Sequence, residues 1–403
     1  MRCSGKALVA IDEFRGGVML KTTLFVAKSI LLSFLFLSYG IYKIAAQQNR
    51  VPQEATEEKY EIRGRVVASG TSIPLQGANI FLEGTMYGTA SSSTGEFGIV
   101  HAPAGTHELI ISMMGYHFKK IKITLPADSS KFYMVKLKER ILQAPEIVIT
   151  ASMMKERKKR MEMFYSFFIG ESKNAAQCTI KNPGVITFES ELSSGEIINA
   201  SSVEDIIIEN RALGYELRFQ LEKFLLTRTL IHAIGSKKFT ELEPADKKEK
   251  ERWRKNRLRA YNGSPRHFFR SLYTGRLKKN GYRAKFYRSR NGQLEIDAPI
   301  PLKKNIVFNP GRTNTERSLN FDGRITIMFW KERAEESYFQ RQPISQDVEN
   351  KNWTQDSWIE LKSRPTYIDT LGRPNRFTPV LKGGYMGWEQ LAEALPWEYI
   401  PQQ

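Results

Sequence analysis

The chain has 403 residues, 41% of them hydrophobic and 26% charged, which is the composition of a globular protein long enough for two or three domains. Its 61 Lys and Arg outnumber its 43 Asp and Glu, and the net charge of +18 favours acidic partners such as anionic lipid, lipopolysaccharide or nucleic acid. With only two cysteines, Cys3 and Cys178, the sequence excludes a disulfide scaffold and any Cys-x-x-Cys metal site.

Residues 1–46 have the parts of a secretory signal. A basic region precedes an apolar run over residues 29–42, and Ala45-Ala46 follow it. The run is shorter than the roughly 20 residues that span a bilayer, and small residues after a short apolar core are typical of a signal peptide. The pattern fits best if translation starts at Met19, and an uncleaved membrane segment is the alternative.

A signal predicts an exported protein, held in the periplasm or at the outer membrane of a Gram-negative cell, or in the inner membrane if the segment stays uncleaved. Residues 47–59 are polar and acidic, which indicates a linker. We expect a β-sandwich with an exit strand over residues 60–150 and an α+β domain over residues 151–403.

Residues 60–137 contain short alternating runs separated by glycine, proline and serine, and this pattern predicts an all-β sandwich. Gly115 supplies a turn between two runs that we expect to pair side by side, and Gly95 supplies a tight turn before Phe97. The strands are expected at residues 60–67, 78–82, 96–101, 108–113, 118–125 and 132–137.

The same region contains four motifs in a fixed order. They are IRGRVV at residues 62–67, PLQGANI at 74–80, GTASSSTGEF at 88–97 and, at 102–116, a Pro-x-Gly turn that precedes a Gly-Tyr pair. Together they resemble the carboxypeptidase-regulatory-like family, although Ser92 stands where the family often has Asp.

The resemblance implies a prealbumin- or transthyretin-like sandwich of the seven-stranded type, which contacts a protein or a glycan. The module also precedes the plug of many TonB-dependent outer-membrane receptors, and residues 141–151 are similar to the junction found there. Beyond Ala151 the sequence contains no recognisable plug and no long series of barrel strands. The protein therefore resembles a receptor-type module joined to a different C-terminal part.

The C-terminal part predicts both helices and strands, so the whole chain is expected to be mostly β with some α. A helix over residues 152–168 comes first. A basic helical hairpin follows, with one helix over residues 246–261 and a second that starts at Ser264-Pro265 and runs to Leu277. Strands are expected at residues 185–188, 206–209, 215–225, 325–330, 358–361 and 366–369.

The sequence contains no motif for a metal, cofactor or catalytic site. None of the five histidines has His-x-x-Glu or His-Glu-x-x-His spacing, so a zinc peptidase is not expected. Cys178 with His232 or His267 would be a nucleophile with its base, but a lone Cys among small apolar residues is more often buried. Residues 168–399 resemble the C-terminal part, without an assigned activity, of exported proteins that carry the same module.

Residues 246–290 hold most of the excess positive charge, with 17 Lys and Arg against three acidic residues. Some of these cations must stay exposed, because burying unpaired cations is very costly. A solvated helical face balanced by acids elsewhere is the alternative. Interleaved aromatic residues such as Trp253 and Tyr261 would suit nucleic acid, but at helical spacing they are more often core. The candidate polyanion-binding residues are Lys247, Lys248, Lys250, Arg252, Arg254, Lys255, Arg257 and Arg259.

These observations predict an exported, non-enzymatic binding or envelope-scaffold protein without a cofactor. The β-sandwich would contact an envelope protein or a glycan, and the basic helices would meet an anionic surface. One alternative is a hydrolase-type enzyme with its site in residues 168–399. The other is a basic nucleic-acid-binding protein, against which the export signal argues.

Overall fold

The computed structural model describes residues 59–140, 151–190, 192–297, 299–302, 308–311, 316–340, 353–374 and 380–401. Lys59–Gln403 packs as one compact unit. The signal predicted over residues 1–46, nearly all of the linker over 47–59 and the exit strand over 141–150 lie outside the described residues. Within the described ranges, every helix is too short or too polar to cross a lipid bilayer.

The first part of the described chain is a β-sandwich, as the sequence predicts. Its strands are β1 (Lys59–Ala68), β2 (Asn79–Leu82), β3 (Gly88–Ala90), β4 (Glu96–Pro103), β5 (Gly105–Ser112), β6 (Lys119–Leu125) and β7 (Phe132–Leu137). One sheet has the order β4-β1-β7, with β1 and β7 parallel, and the other has the order β3-β2-β5-β6. Val66, Ile80 and Ile111 lie in the core between the two sheets, fully buried.

The turns of the sandwich lie where glycine was expected to make them. Gly115 separates the antiparallel strands β5 and β6 with a φ of +80°, and Gly95 has a φ of +76° before Phe97. Residues with a side chain rarely adopt this left-handed backbone conformation, which explains why glycine occupies both positions. Strand β3 was not among the expected strands, because it has only three residues in which to show alternation.

A six-stranded sheet carrying one helix follows the sandwich. Its elements are α1 (Ala151–Phe168), β8 (Cys178–Ile180), β9 (Ile186–Phe188), β10 (Glu196–Ser202), β11 (Ile206–Asn210), β12 (Tyr215–Thr227) and β13 (Ile231–Glu241). The order is β8-β11-β12-β10-β9, with β13 on the other edge of β12. The apolar second half of α1 covers the sheet, since Phe164 lies 4.9 Å from Phe224 and Phe168 lies 5.0 Å from Phe219 between ring centres.

The predicted basic hairpin consists of α2 (Lys247–Tyr261) and α3 (Pro265–Tyr273). Ser264 caps α3 as expected, because its hydroxyl accepts a hydrogen bond from the N–H of His267. The prediction that α3 continues to Leu277 is wrong. The helix ends four residues earlier because Gly275 adopts a φ of +69°, which no helix can continue.

A second six-stranded sheet and a three-stranded sheet complete the fold. Their strands and helices are β14 (Tyr282–Arg290), β15 (Gln293–Leu294), β16 (Ile300–Pro301), β17 (Phe308–Pro310), β18 (Glu316–Leu319), β19 (Gly323–Arg333), α4 (Glu336–Gln340), β20 (Thr354–Leu361), β21 (Thr366–Asp369), β22 (Val380–Gly384) and α5 (Tyr385–Trp388). The larger sheet has the order β15-β14-β19-β20-β22, with β16 on β14, and the smaller has the order β17-β18-β21. Helix α3 packs on the larger sheet, with Phe268 5.4 Å from Tyr282 between ring centres.

The sandwich and the C-terminal part are joined by backbone hydrogen bonds. The turn between β2 and β3 lies against β13, where the N–H of Gly84 donates to Lys237 O at 2.7 Å and the N–H of Phe239 donates to Thr85 O at 3.0 Å. The N–H of Trp397 donates to Gly84 O at 2.9 Å from the other side. One turn of the sandwich thus meets both a strand and a C-terminal segment.

Candidate functional site

Helix α2 presents the predicted cations on its exposed face. The helix begins after Asp246, whose carboxylate accepts a hydrogen bond from the N–H of Glu249 at 2.7 Å. Trp253, Ala260 and Tyr261 are buried, so the helix packs by one face. The exposed cations are Lys247, Lys248, Lys250, Arg252, Arg254, Lys255 and Arg259.

Three of the exposed cations pair with acids of the same helix. Arg254 and Lys255 share Glu251, at N–O distances of 2.8 and 4.0 Å. Arg252 pairs with Glu249 at 2.8 Å. Such exposed pairs contribute about 0–1 kcal/mol to stability, so an anionic partner can compete for these cations.

The first turn of α2 carries cations that the fold itself does not use. In the described part of the chain, the side chains of Lys247, Lys248 and Lys250 have no ion-pair or hydrogen-bond partner. The positive end of the helix dipole also lies here, and it disfavours cations and favours anions. These lysines are therefore the strongest candidates for contact with an external anion.

Arg257 and Arg259 are engaged by the protein itself. Arg257 donates to Glu241 at 2.6 Å, and its guanidinium lies 4.1 Å from the ring centre of Tyr215. Arg259 donates to Glu335 at 3.2 Å. Both guanidinium groups therefore have internal roles in the fold.

The aromatic residues of the hairpin belong to the core. Trp253, Tyr261, Phe268 and Phe269 are all buried. The indole N–H of Trp253 donates to Arg211 O at 2.8 Å. Buried rings are not available to stack on nucleic-acid bases, so these four residues form no stacking platform.

The histidines do not converge on a metal site. His107 contacts Pro103 O at 2.9 Å and His267 contacts the Tyr282 hydroxyl at 3.0 Å, and burial lowers the pKa of each imidazole to about 4. The exposed histidines are His101, His117 and His232. Among the residues that the structure describes, no group of three or more His, Cys, Asp or Glu is placed to hold a metal ion.

Cys178 is a buried thiol at the start of β8. Its Sγ lies 3.5 Å from Asn174 O, and burial together with Glu393 raises its pKa to about 12. A thiol with this pKa stays protonated at neutral pH and does not act as a thiolate nucleophile. His267 lies in another core, against the rings of Tyr261 and Tyr282.

A narrow pocket lies where α2, β19, β20 and α5 meet, and sequence reasoning did not find it. Its carboxyl groups come from separate segments, so no motif contains them. Two features of the sequence could have indicated these carboxyl groups. They are the Glu-x-x-x-Glu spacing of Glu389 and Glu393 and the acidic end of the run KERAEE at residues 331–336. The glutamates that line the pocket are Glu332, Glu335, Glu389 and Glu393.

Several solved structures are similar to this chain at low sequence identity. A protein of unknown function from Bacteroides fragilis, described as membrane-associated, is 12% identical, and the match covers 82% of this chain and 96% of that one with a TM-score of 0.17. A type II cohesin–X-dockerin complex from Acetivibrio cellulolyticus is 17% identical, with 25% and 71% covered and a TM-score of 0.18. At these scores neither likeness carries an argument about this protein.

Comparison with family models and curated proteins gave one match. None of the curated proteins matches the chain. Residues 62–149 match the model of the CarboxypepD_reg-like domain. The match covers the strands from β1 to β7 and the four motifs that the sequence analysis found in them. Residues 62–149 of this chain therefore form a carboxypeptidase-regulatory-like domain.

Proposed function

We propose that the chain is an exported, non-enzymatic envelope protein that docks on an anionic membrane surface through the exposed face of α2. The observation that carries the proposal is the set of three lysines in the first turn, Lys247, Lys248 and Lys250, which have no partner in the described part of the chain. In this arrangement the carboxypeptidase-regulatory-like domain contacts an envelope protein or a glycan. Domains of this type occur in envelope proteins, which supports that placement.

The energetics favour docking by several weak contacts. Each Lys or Arg close to an anionic membrane contributes about 1 kcal/mol. The attraction acts over about 10 Å at 0.1 M salt and shrinks as salt is added. Arg252, Arg254 and Lys255 lie on the same exposed face and can exchange their weak intrahelical pairs for lipid phosphates.

The test replaces Lys247, Lys248 and Lys250 together by Gln. Loss of three cations should weaken binding to phosphatidylglycerol-containing vesicles about 100-fold, because each contributes about 1 kcal/mol. Co-sedimentation at low and high salt measures the binding, and circular dichroism shows whether the fold is intact.

A matched control changes net charge by the same amount elsewhere. Lys119, Lys136 and Lys138 are exposed on the sandwich, and their joint replacement by Gln should leave vesicle binding nearly unchanged. Equal losses in both triple variants would show that only net charge matters. Equal binding by the wild type and both variants would show that the charges of α2 are a solvated face.

A further inference from the structure

The pocket lined by glutamates contains buried polar atoms that the protein leaves unsatisfied. In the described part of the chain, Glu332 Oε2, Gln355 Oε1 and Trp388 Nε1 are buried without a hydrogen-bond partner. Gln355 is only 4% exposed, and its side chain lines the pocket. An unsatisfied buried polar group costs about 1–3 kcal/mol, so a ligand that supplies partners would stabilise the fold. Two of the three atoms are acceptors, which calls for a donor.

Three of the pocket's carboxylates already have partners. Glu332 accepts a hydrogen bond through Oε1 from the amide of Asn262 at 2.7 Å, so only its Oε2 is unsatisfied. Glu335 accepts hydrogen bonds from Arg259 at 3.2 Å and from the N–H of Lys173 at 2.9 Å. Glu393 accepts from the hydroxyl of Ser172 and from the amide of Asn174. These hydrogen bonds hold the side chains that line the pocket in place.

Glu389 differs from these three because its carboxylate has no bonded partner among the described residues. Its side chain is 9% exposed and lines the pocket. Lys382 attracts this carboxylate electrostatically, but its ammonium donates to the backbone oxygens of Met386 and Glu389 at 2.7 and 3.1 Å. A buried carboxylate facing an unfilled space is the feature expected of a cation-binding site.

The charges around Glu389 do not balance. Glu393, Glu332 and Glu335 repel its carboxylate, Lys382 attracts it, and Arg259 is bonded to Glu335. Burial and then Glu393 raise the pKa of Glu389 well above its usual value, and burial also raises the pKa of Glu332 and Glu393. Without a cation, the cluster therefore relieves its repulsion by taking up protons.

The shape and donor set of the pocket select among cations. There is room for a group about the size of one water molecule. Among the described residues, the carboxylates are not arranged to hold a metal ion. This favours a cation that binds by donating hydrogen bonds. A primary ammonium group has three N–H donors and the size of a water molecule, and Tyr385 and Trp388 supply aromatic faces in the lining.

We propose that this pocket binds a primary ammonium group, with the carboxylate of Glu389 as its principal partner and Glu332 Oε2 and Gln355 Oε1 as further acceptors. The rest of the amine extends through the mouth of the pocket to solvent. The site is independent of the lysines at the start of α2, so either proposal can fail without the other.

The test measures thermal unfolding of the full chain in increasing methylammonium chloride at constant ionic strength. A ligand that binds only the folded state raises the midpoint in a saturable manner. Tetramethylammonium chloride is the control for charge, because it has no N–H donor, and should produce no saturable shift. Magnesium chloride tests for a metal site. No saturable shift with methylammonium, or a shift only with magnesium, would overturn the proposal.

Variants locate the site. Glu389→Gln keeps the side-chain volume and should weaken methylammonium binding at least about tenfold, because it removes a charged hydrogen bond. Glu398→Gln is the matched control, since Glu398 is also a largely buried glutamate with a raised pKa but does not line the pocket, and should bind as the wild type does. If Glu389→Gln does not fold, Gln355→Met removes another acceptor and should also weaken binding. Wild-type affinity in a folded pocket variant would contradict the assignment.

Binding should also depend on pH. Methylammonium displaces protons from carboxyls whose pKa is raised, so its affinity should increase as pH rises while the amine itself remains charged. Calorimetry in buffers of different ionisation enthalpy should detect the released protons in the wild type and fewer of them in Glu389→Gln. An affinity that does not change with pH would exclude Glu389 as the ionising partner.

Discussion

His267 lies on α3 with its imidazole among the rings of Tyr261, Tyr282 and Phe329. Burial, assisted by the positive charge of Arg270, lowers its pKa to about 4. The ring is therefore neutral at neutral pH, and its Nδ1 contacts the Tyr282 hydroxyl at 3.0 Å. His267 is therefore a buried residue that contributes to packing, and it is not a candidate for a catalytic base.

The lowered pKa predicts how stability depends on pH. The unfolded chain binds a proton at His267 near pH 6.5, whereas the folded chain does so only near pH 4. Stability is therefore lost as pH falls between these values, by on the order of 3 kcal/mol. His267→Gln keeps a hydrogen-bond acceptor but cannot titrate, so relative to the wild type it should regain about 3 kcal/mol between pH 7 and pH 4.

Urea unfolding at several pH values measures this difference. His101→Gln removes an exposed imidazole and serves as the matched control for the loss of a histidine side chain. A constant difference for His267→Gln would mean that another group accounts for the acid sensitivity.

At the scale of elements, α2 is held to the sheet by the turn between β11 and β12. The ring of Trp253 covers Gly214, where an added Cβ would lie 2.2 Å from the indole Cδ2. The amide of Asn256 donates to Ala212 O at 2.8 Å. Gly214 also has a φ of +69°, so both its conformation and its lack of a side chain are needed. The exposed cations are presented by a helix whose other face is fixed.

Gly214→Ala should therefore destabilise the protein by more than backbone strain alone. The left-handed conformation costs about 1–2 kcal/mol for a non-glycine residue, and displacing the Trp253 ring should add about 1–3 kcal/mol. Gly292→Ala is the matched control, since Gly292 has a φ of +78° and no atom within 4 Å of an added Cβ. Chemical unfolding measures both variants. Equal losses would show that the ring shifts without cost.

Local patterns predicted the elements that carry their own signals. The sandwich follows from alternation and turn glycines, and the start of α3 follows from the capping residue Ser264. Strand β13 was not expected, because it is an edge strand whose first half is exposed on both faces and shows no alternation. The carboxylate pocket was missed for another reason. Its residues meet only through the packing of separate sheets, which no local pattern encodes.

At the scale of the whole molecule, a buried arginine holds a C-terminal segment against the rest of the fold. Arg266 donates to the backbone oxygens of Pro396, Trp397 and Tyr399 at 3.0, 2.6 and 2.7 Å. The same segment contacts the sandwich, because the side chain of Glu398 accepts a hydrogen bond from the N–H of Met86 at 2.7 Å. Arg266 of α3 therefore holds in place the segment through which the C-terminal part contacts the sandwich.

Arg266→Met should weaken this joint. It removes three charge-assisted hydrogen bonds and leaves carbonyl groups without partners, at a cost of about 3 kcal/mol or more. Calorimetry should then show the sandwich and the C-terminal part unfolding at separate temperatures, whereas we expect one transition for the wild type, in which both parts belong to one compact unit. Arg276→Met, at an exposed position just after α3, is the control and should leave a single transition. A single unshifted transition for Arg266→Met would show that other contacts maintain the joint.

The position of the sandwich turn on β13 has a consequence for solubility. Gly84 and Thr85 use backbone groups of β13 that would otherwise form an open sheet edge. Open edges are templates for pairing with other chains, and proteins commonly cover them. By covering this edge, the carboxypeptidase-regulatory-like domain also protects the protein against self-association. Chains in which the domain detaches should expose this edge and associate with one another more readily.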